Sequence, residues 1–561
     1  MSAFWLRTAV PSSLILRNLL SPEHFNTMQP AIQPPILAQL PPATAMTAAQ
    51  DLSSVMPSPP QSPIDRKING QSRGLGGTGR RDPKETHAYL IGGGIASLAA
   101  AVHLIQDAEV PANQVHIFES LPLLGGAMDG ACDPTEGYIL RGGRMLNFSY
   151  LCLYDQLDHI PSLARPETTV TKEIRDFNLQ KAHKTHANAR LIANTGNGPE
   201  PVDVSRMGLN FEGRKELIRM SIEGEKSLGT KATQDCFPKS FFESNFWYMW
   251  ATILGDAGVD FRQNAKVTDL KMIEGIPCTV DEIHMVQDGT PMVANLDPND
   301  IVFATIGSMT GDASVGTNMK STTPVSSKDL RDGSWELWTK LAAKDEPIFG
   351  NPQNFLSRVP QSQWESFTVT LEDPEFFDRI VKFTNNKPGT GALVTFKDSN
   401  WLMSIVVPCQ PHFIGQQEDV QVFCGYGLFP SQIGDFVQKP MTECNGHEVL
   451  TELLGHLGFV PDQILENSIT RPCLMPYITS QFLTRKFADR PKVIPEGSTN
   501  LALLGQFVEI PEDTVFTVEY SVRGAQMAVF ELMGLDKKPK TIYKGEHHVD
   551  VLAKALQKLL T

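Results

Sequence analysis

Cysteine is scarce and scattered in this chain. Eight occur in 561 residues (Cys132, Cys152, Cys236, Cys278, Cys409, Cys424, Cys444 and Cys473), and none belongs to a C-x-x-C pair. That spacing argues against a zinc site or a disulfide framework and for a reducing compartment. Basic charge is also short. The 49 Lys and Arg against 63 Asp and Glu leave a net charge of −14, which argues against a general nucleic-acid binder. A long unbroken apolar run is missing too. The longest, residues 88–105, contains Gly92, Gly93, Gly94, Ser97 and His103, so it reads as strand, turn and helix rather than a membrane span. No internal repeat is visible.

What is present begins with a contrast. Residues 1–85 are rich in Pro, Ser, Ala and Gln without sustained periodicity, and read as a disordered extension. The first twenty-two residues carry Arg7 and Arg17 and no acid, a composition compatible with a mitochondrial presequence and equally with an untargeted tail. Cytoplasm and mitochondrion both remain open as locations, and a secretory signal is disfavoured because Arg17 interrupts the apolar run 14–20. Ordered chain is expected from Thr86. At the other end, residues 546–561 read as an amphipathic helix that either packs or touches a membrane surface. Helix is also expected over 213–227, 444–457 and 522–533, and strand over 267–272, 282–286 and 301–305.

The chemistry-bearing motif lies at the start of the ordered region. Residues 88–91 read as a buried strand, 97–107 as a helix and 115–119 as a second strand. Between the first two, Gly92, Gly94 and Ser97 form G-x-G-x-x-S. The first glycine permits a tight turn, the second lets backbone approach a pyrophosphate, and the third position needs a small residue for helix–strand packing. The helix N-terminus then faces the phosphates. Glu119 ends the second strand, where an acid accepts from ribose hydroxyls.

The continuation separates FAD from NAD. Gly125 and Gly126, then Arg141, Gly142, Gly143 and Arg144, resemble the glycine-rich continuation of the two-dinucleotide-binding-domain flavoproteins. Thr305, Gly307 and Ser308 after a strand, and Gly505 near the C-terminus, look like their later flavin contacts. The expected fold is α/β: a Rossmann-like FAD-binding domain with a mixed α+β substrate domain and C-terminal helices. The FAD domain is expected to be discontinuous, over about 86–165, 258–320 and 490–535, with substrate-binding insertions at about 166–257 and 321–489.

Longer motifs then resemble one family, the oleate hydratases, once called myosin-cross-reactive antigens. They include GGGIASLAAAVHLI, RGGRM at 141–145, NFWYMW at 245–250, WESFTVTL at 364–371, MPYITSQF at 475–482 and DTVFTVEYSVR at 513–523. The resemblance covers about residues 86–540 in order. It implies FAD, with Asp513 and Thr514 among its contacts, an unsaturated long-chain fatty acid such as oleate or linoleate as substrate, and a homodimer. The implied reaction adds water across the cis double bond to give a hydroxy fatty acid.

Two departures stand out. The family's loop reads Arg-Gly-Gly-Arg-Glu, and that glutamate is held to orient the water; here it is Met145, which cannot take or give a proton. Asp129, Asp133 and Glu136 lie nearby in sequence as substitutes. Beyond Trp250 the family carries a helix with the tyrosine proposed as proton donor, whereas here the chain passes almost directly to Gly258, and Tyr248 does not match that position. No catalytic residue is therefore assigned. Two other readings stay open: a catalytically impaired FAD- and fatty-acid-binding paralogue or truncated isoform, and a flavin oxidoreductase. No metal site is expected; His547 and His548 read as a solvated turn, and Glu443, Cys444, His447 and Glu448 as capping and surface charge.

Overall fold

The computed structural model describes residues 80–542, apart from 132–134, 142–145, 147–148, 163–164, 180–188, 203–253, 277, 325–331, 391–392 and 414–415; beyond 542 it describes only Val549 and Ala553. The expected N-terminal extension up to residue 79, the helix over 213–227, Tyr248, Met145, and nearly all of the 546–561 helix lie outside these residues.

Five short strands build a parallel sheet: β1 (Ala88–Ile91), β2 (Val115–Phe118), β3 (Asp260–Arg262), β4 (Ile301–Thr305) and β5 (Leu501–Leu504). Their order across the sheet is β3–β2–β1–β4–β5, all parallel. This is the doubly wound arrangement, and it places a topological switch point beside β1, where connections leave to opposite sides. β1 and β5 are buried at every position, so they show the continuous apolar run of a covered parallel strand rather than alternation. Helices α1 (Ile95–Gln106), α2 (Gly333–Lys344) and α3 (Val518–Leu532) supply residues to the core that β1 anchors.

A second, eight-stranded mixed sheet runs through Ser314–Val315, Ser468–Met475, Trp364–Leu371, Gln421–Gly427, Met403–Val406, Val394–Phe396, Arg190–Asn194 and Pro199–Val202 in spatial order. The helix Gly446–Leu457 covers one face with Val449, Leu450, Leu453 and Leu454. The α/β class thus follows the expected plan.

Boundaries differ in several places, α3 among them, which starts at Val518, ahead of the expected 522. The packed chain begins by Arg81, which is buried and donates to the Leu532 and Thr499 carbonyls, five residues before the expected start. α1 starts at Ile95, two residues early, because Gly94 in extended backbone already caps it. Residues 333–356, expected in the substrate insertion, instead bring Trp335, Trp338 and Phe355 into the core around β1. Cys444, expected at the surface, is fully buried; it precedes Asn445, which with Glu448 forms the capping box of the next helix. The six described cysteines are all free. Among the described residues no helix is long and apolar enough to cross a membrane.

Candidate functional site: a glycine-lined crevice at the switch point

The carboxyl ends of β1, β4 and β5 converge on one crevice. Gly92 leaves β1 with φ of +95°, and a Cβ there would lie 3.3 Å from Thr305 Cβ. Gly505 leaves β5 with φ of +102°, and its Cβ would lie 3.2 Å from Thr305 Cγ2. Ser97 Oγ sits 3.3 Å from Thr305 Oγ1. Four residues singled out in sequence, from three distant stretches, therefore meet here. Gly307 has φ of +66°, and a Cβ on it would be 2.7 Å from the Phe507 ring. Ser308 holds Trp335 Nε1 through its carbonyl at 2.9 Å, anchoring α2 beside the same loop.

Gly94 caps α1 in extended backbone, with no side-chain cap and no acid in the first turn. The first amides of a twelve-residue helix are thus left to a ligand, and the helix dipole favours an anion there. The second glycine pair closes on the first. Gly125 N donates to Gly93 O at 3.0 Å, and a Cβ on Gly126 would lie 3.1 Å from Gly94 Cα.

Glu119 follows the end of β2 as expected, 7% exposed. Its Oε2 accepts from Gly93 N at 2.7 Å, and its Oε1 from Leu121 N at 2.9 Å and Ser120 Oγ at 3.1 Å. Three of roughly four acceptor positions are filled, which leaves room for one more donor. Burial raises its pKa, and the Gly93 and Leu121 amides oppose that rise. Gly93 was only a variable position in the fingerprint. A Cβ on it would lie 2.5 Å from Leu124 Cδ2 and 3.1 Å from Glu119 Oε2, so a side chain there would have to displace Leu124 and crowd the carboxylate. The run of three glycines was the available signal.

Asp513 has a protein partner. Its carboxylate takes Arg523 Nε at 2.6 Å and Thr514 N at 2.7 Å. Arg523 also donates to Glu519 at 2.8 Å, and Glu519 accepts the Cys152 and Leu153 amides. Thr514 lies half-buried in the turn before α3. Gln506, which follows Gly505 in the same motif, holds this turn. Its Oε1 accepts the Phe516 amide, and its Nε2 donates to Thr517 O and Ser521 Oγ, both at 2.8 Å. Phe516 has φ of +77°, a strained value of the kind that gathers at ligand sites.

Arg141 pairs in two-pronged fashion with Asp129, Nε to Oδ1 at 2.5 Å and Nη2 to Oδ2 at 2.7 Å. Gly142, Gly143, Arg144 and Met145 lie outside the described residues. Of the substitutes for the missing glutamate, Asp129 is engaged by Arg141, Glu136 has its side chain 70% exposed, and Asp133 is not described. Burial pushes the nearby Cys473 thiol up to about 11, so it carries no nucleophile at neutral pH.

Beside the crevice lies an apolar wall of Met309, Trp364, Met475, Ile478 and Phe516. Trp364 stacks on Tyr426 at 5.3 Å, and Phe482 meets Phe516 at 5.4 Å. Pleating turns Glu365 to the opposite face, with Phe367 and Val369 in the core under Gly446–Leu457.

Residues 85–255 and 252–530 match the MCRA family. This chain belongs to the MCRA family. The two matched stretches overlap at 252–255. The chain is similar to an oleate hydratase of Streptococcus pyogenes serotype M49 (strain NZ131), 34% identical over 531 residues, covering 83% of this chain and 88% of that protein. It is also similar to a linoleate hydratase of Lactiplantibacillus plantarum, 31% identical over 569 residues, covering 82% and 98%. Among solved structures, a putrescine oxidase with putrescine bound is 12% identical, with a TM-score of 0.45 over 81% of this chain and 100% of that one.

Proposed function

We propose that this MCRA-family chain is an FAD-dependent hydratase of unsaturated long-chain fatty acids. The observation that carries the reading is the crevice: an uncapped helix N-terminus, glycines where a Cβ would collide, and a ribose-height acid beside an apolar wall. Relatives named oleate and linoleate hydratase support the substrate class.

The residues present fit FAD. The α1 amides would take the pyrophosphate, the remaining acceptor position of Glu119 a ribose hydroxyl, and the backbone of Gly307 and Gly505 would border the ring. Hydration involves no net redox change, so the bound flavin would supply shape and charge stabilisation. The chain's own part is to hold the acyl chain along Met309, Trp364 and Phe516 and to keep bulk water from the alkene. An isolated alkene is a weak base, so an acid must be positioned against it. Neither Asp129 nor Glu136 is arranged for that task.

A second reading is favoured by Met145 and by the break after Trp250: a paralogue that binds FAD and fatty acid without turnover. Incubation of the FAD-loaded full chain with oleate or linoleate in ¹⁸O-water separates the two. The hydratase yields hydroxy fatty acid carrying the heavy oxygen. Retained FAD with no product establishes the binding protein, and substrate-driven flavin reduction would point to an oxidoreductase.

A further inference from the structure

A second cluster of chemistry lies far along the chain from the crevice motifs, where the loop 430–440 meets the end of the helix Gly446–Leu457. Glu452 and His456 are four residues apart, so one helix face presents both side chains. Asp435 joins them from the loop. One ligand atom from each of the three lies within 4.8 Å of the others. His456 Nε2 is 3.3 Å from Asp435 Oδ2 and 3.3 Å from Glu452 Oε1.

Two features distinguish this from an ordinary ion-pair cluster. The His456 side chain is only 9% exposed, yet Nε2 is aligned with neither carboxylate as a hydrogen bond and has no other partner. A buried imidazole nitrogen left this way is costly unless something fills the gap. The spacing is the second feature. A tetrahedral ion with bonds of about 2.05 Å to nitrogen and oxygen has ligand–ligand edges of about 3.3 Å.

Both carboxylates are already oriented, as ligand carboxylates are in metal sites. Glu452 is fully buried and accepts the Asp435 amide at 2.6 Å and the Phe436 and Val437 amides at 2.9 Å. Asp435 Oδ2 accepts the Asn400 amide at 2.9 Å. Phe436 packs edge-on to the His456 ring at 5.0 Å, shielding one side, while Asp435 opens to solvent.

We propose that Asp435, Glu452 and His456 form a divalent transition-metal site that clamps the 430–440 loop to the helix end. One nitrogen and two carboxylate oxygens suit an ion such as Zn²⁺ or Co²⁺, with solvent completing the shell on the Asp435 side. Two carboxylates balance the double positive charge. The role is structural, since the site faces neither the glycine crevice nor the apolar wall.

Cobalt is the direct probe, because its visible absorption reports coordination. Titrating Co²⁺ into the FAD-loaded full chain should give a saturable visible band at one equivalent, displaced by Zn²⁺. His456→Gln and Asp435→Asn should each weaken that binding at least about tenfold while flavin content stays unchanged. Asp435 is partly exposed, so its variant keeps the test available should the His456 variant fold poorly. Absence of a saturable band in the wild type, or equal cobalt binding in wild type and Asp435→Asn, would overturn the proposal.

Discussion

Glu365 sits with no exposure in the middle of a sheet, accepting one hydrogen bond from Thr322 Oγ1 at 3.1 Å. Burial lifts its pKa well above the ordinary carboxylate value. The folded pKa being raised, its contribution to stability is full below the unfolded value and falls as pH climbs toward the folded one. Glu365→Gln, which cannot ionise, should therefore gain thermal stability relative to wild type between pH 5 and 8. A midpoint difference that stays constant over that range would contradict the neutral carboxyl. The contrast with Glu119 shows what a sequence can disclose. Glu119 follows a recognisable strand, glycine turn and helix, so its place is set by a motif. Glu365 lies in a strand buried on both faces, where alternation is lost and position alone gives no sign of orientation.

At the scale of elements, the turn 513–517 is held from two directions. Gln506 ties it to the end of β5, and Arg523 ties it through Asp513 and Glu519 to the start of the helix Leu151–Leu157. Arg523 has its side chain 6% exposed, between two carboxylates of similar burial. Its replacement by Met would leave those charges unpaired, at a cost of about 3–5 kcal/mol. A marked fall in the thermal midpoint, with faster flavin loss, is the expected outcome in a thermal-shift assay that also follows flavin fluorescence. An unchanged midpoint would remove Arg523 from the framework. DTVFTVEYSVR marked this stretch, but its tie through Glu519 to the Cys152 and Leu153 amides could not be read, because it joins segments distant in sequence. Element ends moved by a residue or two for similar local reasons, as where Gly94 caps α1 ahead of the expected start.

At the scale of the whole molecule, the doubly wound sheet was legible mainly through β1, β2 and β4, which are short, largely apolar runs, two of them followed by glycine turns. The domain partition was less so. Trp335, Trp338 and Phe355 pack on Phe507, just beyond β5, from a stretch whose sequence carries no glycine fingerprint, and only tertiary contact shows where it belongs. The account joins β1, β4 and β5 through the crevice, so a ligand there should stabilise the whole nucleotide domain. At about a hundredfold excess over Kd, FAD should add about 2.7 kcal/mol to the folded state and raise the thermal midpoint.

The proposed nucleotide site in that crevice is the central claim, and identifying what it binds is the most direct test. Nucleotide released from the purified full chain should be FAD, at about one per chain. Gly93→Val should carry essentially none, because the added side chain would enter the space held by Leu124 and Glu119. Release of a nicotinamide dinucleotide in place of FAD, or full FAD retention by Gly93→Val, would contradict the account.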